Sequence, residues 1–439
     1  MELKINNISI SENEVEVTFP YEEIKSQLES EILKQTKKIQ LPGFRKGKVP
    51  VSMLKKMYGD SLEYEASEKI ASDKFYSISK DKHLHPIGQP TITDLKYNPG
   101  ENLFFKVKYD VLPELEVKDY TNLEIEIPHF QVKDEMIETE IQNILKSNST
   151  NEPAEVVGEG KDYLLDVEFK RVDNNGEPYP GSVPENLTID LSNDRVQKEI
   201  VENAAGKKVG ETFTFTFVDE QAGKKEGEQE QKTSEIFNYS ALIKGIKKII
   251  LPELTEEFVK KVTNNKASSE IEMREQIKND YLNYYNEQEE NLTIDKLIDK
   301  IVKNNDFVAP KSMIASFLED TVKREEEESK KRGYKKFDKK AAEQRLRNFS
   351  ELEVKWFLIS DAIKKKENIS VSDDELNELA KADAEKTGIA IDKLISYYKS
   401  SNYTEKLTNK KLFTYLKAQN KINIVEPEKL SQTDKKESI

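Results

Sequence analysis

The sequence predicts a multidomain α+β protein in which helices predominate. The chain has 439 residues, more than one hydrophobic core usually supports, so two to four domains are expected. Only 16 glycines and 15 prolines interrupt a chain that is 35% charged, and this composition is typical of long surface helices. Short stretches in which apolar and polar residues alternate add strands to the prediction.

The N-terminal part shows the strand period and then the helix period. Val15, Val17 and Phe19 alternate with polar residues, which predicts a half-buried strand in a hairpin with residues 2–10. The elements expected next are two helices, over 21–39 and from Pro50 to about residue 70, and two strands, 91–97 and 103–112, joined by a turn at Pro99 and Gly100. We therefore expect a compact α+β domain over residues 1–112.

Between the two expected helices lies the stretch LPGFRKGKVP, residues 41–50. From Ile32 to Gly59 there are eight Lys or Arg residues and no Asp or Glu, in a chain whose net charge is −14. A cationic patch this local predicts a polyanionic partner. If the patch contacts phosphates, the affinity of the protein for that partner should depend on salt. Phe44 adds an apolar anchor of the kind found in protein interfaces. The mixture suits a surface of nucleic acid and protein, such as a ribosome.

The same loop allows less specific interpretations. A charged run is often a solvated surface, and a loop with proline and glycine is often only a turn. A phosphate-binding P-loop fits poorly, because three residues rather than four separate Gly43 from Gly47, and no Ser or Thr follows Lys48. On loop chemistry alone, a solvated turn and a binding loop are both open.

Several other classes of site are excluded or unsupported by composition. The chain contains no cysteine, which excludes disulfides and cysteine-ligated metals. His83 and His85 form an H-x-H pair, but His129 is the only other histidine, so we expect no metal site. No motif of a nucleophilic hydrolase is present. The N-terminus lacks a signal core and no apolar run approaches ~20 residues, so we expect a cytoplasmic protein with no membrane association.

The loop also carries a family resemblance. GFRKGKVP resembles the G-F-R-x-G-x-x-P signature of trigger factor, the ribosome-associated chaperone family of bacteria. Four further segments look like family landmarks: LEVKDYTNLEIEIP (115–128), LPELTEEFVKKV (251–262), NNDFVAPKSMI (304–314) and EVKWFLISDAIKKKENISVSDDEL (353–376). The resemblance covers nearly the whole chain and is weakest from about 170 to 240.

The resemblance implies a function and a set of partners. It implies that the protein binds ribosomal protein and ribosomal RNA beside the exit tunnel and is partly ribosome-bound in the cytoplasm. The residues it implies for ribosome binding are Gly43, Phe44, Arg45, Lys46, Gly47 and Pro50. It further implies that nascent and unfolded polypeptides are held during folding and export without ATP or another cofactor, and that the protein can form a homodimer away from the ribosome. A link to cell division is also implied.

The sequence predicts strands and turns in the middle of the chain. The expected strands are 162–172, 186–191, 211–218 and 239–251. Their order resembles the FKBP-like peptidyl-prolyl isomerase (rotamase) domain of the family. Such an enzyme lowers the roughly 18–20 kcal/mol barrier to rotation about the peptide bond, and an aromatic, water-poor pocket suits the twisted proline.

The resemblance implies a pocket made by Phe169, Tyr179, Leu187, Ile200 and Tyr239. Phe169 and Tyr239 match aromatic wall positions of the family, and Tyr179 matches a third. Ile200 replaces the aromatic floor residue and Leu187 replaces another aromatic. These departures predict weak or absent activity. Aromatic residues of strands usually pack in a core, so a purely structural role for Phe169 and Tyr239 is equally open.

Three more substitutions lie at the same pocket. Lys198 and Glu199 stand where the family has Pro-Gly, and Pro180 stands where an acidic residue is usual. The two charged residues would bring water to the site. We therefore expect a domain that keeps its fold and loses much of its pocket.

Beyond Pro252 the sequence predicts helices to about residue 425. Pro310 should open one helix, Gly333 should follow the end of another, and SDDE at 372–375 is a capping box. Helices over residues 120–150 (KDEMIETEIQNILKSN) should pack back on this region, as in the family. The apolar stripes of these helices suit either a plain bundle or an exposed cradle for polypeptides.

Together these observations predict five segments. They are a ribosome-binding domain (1–112), a linker and packing helix (113–152), an FKBP-like domain (153–249), an elongated all-α chaperone domain with arms (250–430) and a disordered tail (431–439). The function predicted is that of an ATP-independent chaperone. Two alternatives are open, a protein acting mainly as a prolyl isomerase and an RNA-binding ribosome assembly factor.

Overall fold

The computed structural model describes residues 1–36, 49, 51–173, 175–221, 233–334, 336–400 and 402–426. The chain divides into two compact units, one formed by Met1–His129 with Glu289–Ile439 and the other by Phe130–Gln288. Both helices and sheets are present in a multidomain arrangement, so the predicted α+β class is confirmed. The five-segment division of the chain stays a prediction.

The N-terminal part of the first unit is a four-stranded antiparallel sheet packed against two helices. Its strands are β1 (Glu2–Asn7), β2 (Glu12–Phe19), β3 (Ile87–Lys96) and β4 (Leu103–Asp110), in the order β1-β2-β4-β3. Its helices are α1 (Tyr21–Thr36) and α2 (Val51–Asp81). The hairpin of β1 and β2 confirms the predicted pairing.

Alternation of side chains explains why this sheet buries one face. Val15, Val17 and Phe19 of β2 are buried, and β4 buries Leu103, Phe105, Val107 and Tyr109 in the same way. Successive side chains of a strand point to opposite faces, so these residues meet the apolar faces of the two helices. The predicted turn between β3 and β4 is confirmed at Gly100, where φ is +83°, a value that favours glycine.

The rest of the first unit is mostly helical. It contains the second half of α6 (Glu270–Asn304), then α7 (Lys311–Lys331), α8 (Lys339–Lys366), α9 (Asp373–Thr387), α10 (Ile391–Ser400) and α11 (Tyr403–Gln419). Three predicted boundaries are confirmed. Lys311 begins α7 directly after Pro310, Gly333 follows its end with φ +85°, and Ser372 and Glu375 form the capping box of α9.

Two segments depart from the helical prediction. Glu124–Pro128 forms strand β5 and Lys421–Val425 forms strand β11, and the two pair in parallel, Ile125 with Ile422 and Ile127 with Ile424. The expectations of helix from residue 120 and of helix to about 425 were therefore wrong at these ends. Ile125 and Ile127 are buried in a core that also holds Leu297, Ile359 and Leu416, so the strand pair closes over the helices.

The second unit contains a five-stranded antiparallel sheet. Its strands are β6 (Thr150–Ala154), β7 (Tyr163–Val172), β8 (Glu185–Asp190), β9 (Thr212–Gln221) and β10 (Thr233–Ile250), and a short helix, α4 (Lys198–Ala204), packs beside β9. The long strand β10 pairs with β9 along its first half, with β6 at its end, and with β7 on its other side, and β8 lies beyond β7.

A helical layer completes the second unit. Helix α3 (Asp134–Ser147) packs against α5 (Glu256–Val262) and the first half of α6. The apolar side chains that meet there are Ile137, Ile141, Leu145, Val259, Ala267, Met273 and Ile277. Within this unit α3 thus packs on the chain that follows Pro252, while the packing of the whole 113–152 segment on the C-terminal domain stays a prediction. No helix in the described part of the chain is long and apolar enough to cross a membrane.

Candidate functional site

A groove of about 470 Å³ lies between α7, α8 and α11 in the first unit. Its apolar lining consists of Met313, Phe317, Val354, Trp356, Phe357 and Phe413. Its polar lining consists of Ser316, Asp320, Glu353, Ser360, Lys364, Glu405 and Asn409. The groove is therefore rich in aromatic side chains, and charged side chains of both signs also line it.

Aromatic stacking holds the walls of this groove together. The Trp356 ring on α8 stacks on the Phe413 ring of α11, with centroids 5.9 Å apart and planes 20° from parallel. The Phe317 ring on α7 lies 6.3 Å from that of Phe349 on α8. Phe357 is not covered in this way, because 52% of its surface is exposed. Phe357 therefore leaves an apolar surface open in the groove.

Burial perturbs two charged side chains that line the groove. Burial raises the pKa of Glu353, and the neighbouring carboxylate of Asp295 raises it further. Burial lowers the pKa of Lys364, while Glu405 and Asp361 act in the opposite direction. Both shifts have the same cause, since each side chain is partly withdrawn from water at the groove. A partly dry, apolar trough suits binding of an apolar chain.

A second apolar groove of about 530 Å³ lies between α9 and α11. Val371, Leu379, Leu407 and Tyr415 line it, and Lys410 and Lys411 lie at its edge. The two grooves use different faces of α11. The helical part of the first unit thus offers more than one apolar groove.

The second unit brings several of the expected pocket residues together on one face of its sheet. The rings of Phe169 and Tyr239 meet edge to face at 5.7 Å, and the ring of Phe215 stacks on Tyr239 at 5.4 Å. The register explains this cluster, because Ala241 of β10 lies opposite both Phe169 and Phe213. The small side chain of Ala241 leaves room for the neighbouring rings.

Helix α4 places Ile200 beside this face, where it packs on the same apolar core as Phe169. The helix is also tied to the free edge of β9. The Thr216 amide donates to Glu199 Oε2 at 3.3 Å, and Asn203 Nδ2 donates to the Thr214 carbonyl at 2.7 Å. Glu199 therefore satisfies a backbone donor that an edge strand otherwise leaves to water.

The other two expected pocket residues lie nearer to solvent. Tyr179 is 45% exposed, and the Arg171 guanidinium covers its ring at 4.3 Å. Leu187 of β8 lies opposite Val167 and is 53% exposed. The structure thus gathers Phe169, Tyr239 and Ile200 at one place, whereas Tyr179 and Leu187 lie at the margins of the face.

Sequence analysis missed three residues of this face: Phe215, Phe237 and Arg171. A signal was present for Phe215, because TFTFTF alternates strictly and so places Phe213, Phe215 and Phe217 on one side of a strand. Arg171 gave no such signal, because its neighbours Tyr179 and Phe237 come from distant positions.

The expected ribosome-binding residues, Gly43, Phe44, Arg45, Lys46, Gly47 and Pro50, lie outside the described residues. The described residues that flank them include exposed apolar side chains. Met53 and Met57 on the first turns of α2 are exposed, and Tyr58 interrupts the helical backbone with φ −135° and ψ 15°. Val49, in contrast, is buried.

Comparison with known proteins gives the family. The model of the bacterial trigger factor protein matches residues 1–144, and the model of the bacterial trigger factor protein C-terminus matches residues 271–418. The curated trigger factor of Chlorobium limicola is 27% identical over 424 residues, covering 95% of this chain and 96% of the relative. The chain belongs to the trigger factor family.

Other trigger factors match over similar lengths. The trigger factor of Salinibacter ruber is 29% identical, and the match covers 86% of this chain and 83% of the relative. The trigger factor of Chloroherpeton thalassium is 28% identical, and the match covers 97% of this chain and 98% of the relative. A solved trigger factor chaperone, studied for promiscuous substrate recognition in folding and assembly, is 19% identical and covers 95% of this chain and 99% of that chain. Its TM-score is 0.47. Membership in the trigger factor family confirms the resemblance that the sequence carries.

Proposed function

We propose that this trigger factor is an ATP-independent chaperone that holds nascent and unfolded polypeptides in the groove between α7, α8 and α11. The observation that carries the proposal is Phe357, whose ring is 52% exposed beside Trp356 in a concave apolar surface. A side chain of this size normally lies inside a protein. Its exposure leaves an apolar contact for a partner.

The free energy of each apolar contact suits weak holding of a polypeptide rather than tight binding. Covering the exposed half of one phenylalanine contributes about 1 kcal/mol, so several such contacts are needed for micromolar affinity. The second groove, with Val371, Leu379 and Leu407, supplies more contacts of the same kind. Weak contacts spread over two grooves tolerate many sequences, because neither groove requires a fixed set of hydrogen bonds.

Aggregation of an unfolded client tests this proposal. We expect Phe357→Ser to weaken suppression of aggregation in the absence of nucleotide, by about fivefold in the concentration required for half protection. Tyr397→Ser is the matched control, because Tyr397 of α10 is 58% exposed and does not line the groove. Equal loss in both variants, or no loss in Phe357→Ser, would contradict the proposal.

We further propose that the protein binds the ribosome through the loop at residues 43–50. The concentration of Lys and Arg between Ile32 and Gly59 supports this, and so do the exposed side chains of Met53 and Met57 beside the loop. Cations attract ribosomal RNA, while apolar groups contact ribosomal protein. In the alternative, an RNA-binding assembly factor, Phe44 would matter little and salt would dominate the affinity.

A second candidate function is prolyl isomerisation by the middle domain. The cluster of Phe169, Phe215 and Tyr239 favours it, because the three rings form an apolar surface on one face of the sheet. Against it, Ile200 supplies a smaller floor than an aromatic ring would. We therefore propose that this face binds proline-containing peptides and catalyses their isomerisation weakly or not at all.

A further inference from the structure

The Arg171 guanidinium is enclosed by two aromatic rings. Its Cζ atom lies 4.3 Å from the centroid of the Tyr179 ring and 4.2 Å from that of the Phe237 ring. Contacts at this distance are cation–π interactions, which stabilise a planar guanidinium better than an ammonium. Because Tyr179 and Phe237 come from the segment after β7 and from β10, the arrangement fixes the side chain from two directions.

The strand register places this cation beside the aromatic cluster. Arg171 lies opposite Tyr239 in the pairing of β7 with β10. It also follows Phe169 by two residues on the same strand, so both side chains point to the same face. Their Cα atoms are about 7 Å apart, twice the rise per residue of a strand. That spacing corresponds to one or two residues of an extended peptide lying on the face.

The charge of Arg171 is not neutralised within the described part of the chain, where no ion pair involves it. Two acidic residues of the described chain flank this part of β7. Asp173 accepts from the backbone amides of Asn175 and Glu177, and Glu185 lies opposite Phe169. A guanidinium that contacts aromatic rings through its plane keeps its N–H groups at its edge, where they match a carboxylate.

We propose that Arg171 binds a carboxylate of a peptide whose apolar or prolyl residue contacts Phe169 and Tyr239. This inference rests on the proposed peptide binding by that face. It assigns the face a preference for an acidic group one or two residues from the apolar residue. The carboxylate can come from an acidic side chain or from the end of a peptide chain, since both present the same two oxygens.

Labelled peptides test the preference on the full chain without any mutation. The first peptide has glutamate directly before proline and an amidated end, and the second has glutamine in place of glutamate. A third has glutamine before proline and a free carboxylate one residue after it. We expect the first to bind about tenfold more tightly than the second by fluorescence polarisation at low salt. The third decides whether a chain end can replace the side chain.

Substitutions then assign the preference to Arg171. Arg171→Gln should remove the advantage of the glutamate peptide, so that the affinities of the glutamate and glutamine peptides come within about twofold of each other. Arg171→Lys keeps the charge and should keep only part of the advantage, because a lysine lacks the planar fork. Arg195→Gln is the matched control, since Arg195 is an exposed arginine of the same unit that is not part of the aromatic face.

The outcomes separate this inference from the proposal on which it rests. If glutamate and glutamine peptides bind equally, and Tyr239→Ala weakens both, the face binds peptides but Arg171 has no selective role. If neither peptide binds, or if Tyr239→Ala leaves binding unchanged, peptide binding by the face is itself wrong. If Arg195→Gln removes the preference as fully as Arg171→Gln, the effect is a general one of net charge and the inference is overturned.

Discussion

The Trp356 ring of α8 stacks on the Phe413 ring of α11, with 5.9 Å between centroids and 20° between planes. An offset stack of this kind contributes about 1 kcal/mol beyond the area it buries. It joins two helices that are distant in sequence and fixes one wall of the groove that Phe357 enters. Because Trp356 is the only tryptophan of the chain, it also reports on that groove selectively.

The raised pKa of Glu353 predicts a pH dependence of stability. Its folded pKa exceeds the unfolded value because of burial and then Asp295. The folded state therefore holds the proton longer, and stability falls as the pH rises from about 4.3 through the raised pKa. Glu353→Gln should raise the midpoint of denaturant unfolding at pH 7, followed by Trp356 fluorescence, and the gain should vanish below about pH 4.

Glu319→Gln is the control for that measurement, since Glu319 lies on the exposed side of α7. A gain of equal size in both variants would point to the net charge of the protein instead. A lower midpoint for Glu353→Gln at pH 7 would contradict the assignment of its pKa shift to burial.

Removal of the middle domain should leave the chaperone activity largely intact. Thr150 of β6 lies directly opposite Ile250 of β10, so a two-residue Asn-Gly turn can join them in place of residues 151–249. The groove between α7, α8 and α11 lies in the other unit. We expect the shortened chain to suppress aggregation of an unfolded client without nucleotide, to within about threefold of the full chain.

The same deletion combined with Phe357→Ser is its matched control and should weaken protection by the same factor as Phe357→Ser does in the full chain. A shortened chain that folds by circular dichroism yet gives no protection would show that the middle domain, and not the groove, holds the client.

Replacement of Phe44, Arg45 and Lys46 by alanine should abolish ribosome binding and leave the fold unchanged. Loss of two cations and an aromatic anchor removes interface contacts. Co-sedimentation with ribosomes measures the effect, and thermal unfolding checks the fold. Phe44→Ala alone distinguishes the two proposals for the loop. It should weaken binding at least about tenfold if ribosomal protein is contacted, whereas unchanged binding that depends steeply on salt would favour an RNA-binding factor.

Isomerase activity of the full chain should be weak, and Ile200, the floor residue of the aromatic face, should limit it. Each tenfold increase in rate needs about 1.4 kcal/mol of selective stabilisation of the transition state. Ile200→Phe adds aromatic area, and Lys198→Pro suits the first residue of α4. Glu199→Gly removes the bond to the Thr216 amide. We therefore expect Ile200→Phe with Lys198→Pro to raise turnover of a proline peptide more than the triple variant does.

An FKBP-type isomerase measured beside this protein provides the scale for that assay. Comparable turnover by the unmodified chain would place the enzymatic function first and contradict the expectation of weak activity.

The predictable parts of the structure are those that local chemistry determines. Alternation located β2, and the SDDE box located the start of α9, because each signal involves neighbouring residues. The pairing of β5 with β11 was not predictable, because it joins Ile125 and Ile422 across most of the chain, and KINIV alone gives no strand boundary.

The candidate sites were predictable in composition and not in geometry. The resemblance supplied Phe169 and Tyr239, but the enclosure of Arg171 depends on a fold that returns Tyr179 and Phe237 to the same place. Apolar stripes on α7 and α8 have the same period whether they are buried or exposed. The exposure of Phe357 therefore became visible only once the neighbouring helices were placed.

The most direct test of the central claim is the emission of Trp356 during titration with an unfolded, tryptophan-free polypeptide. The account predicts a saturable blue shift, because the client displaces water from the groove, and a weaker response with lower affinity in Phe357→Ser. Polarisation of the labelled client follows binding independently. If polarisation shows binding while the emission of Trp356 stays constant, the client is held elsewhere and the groove is not the binding site.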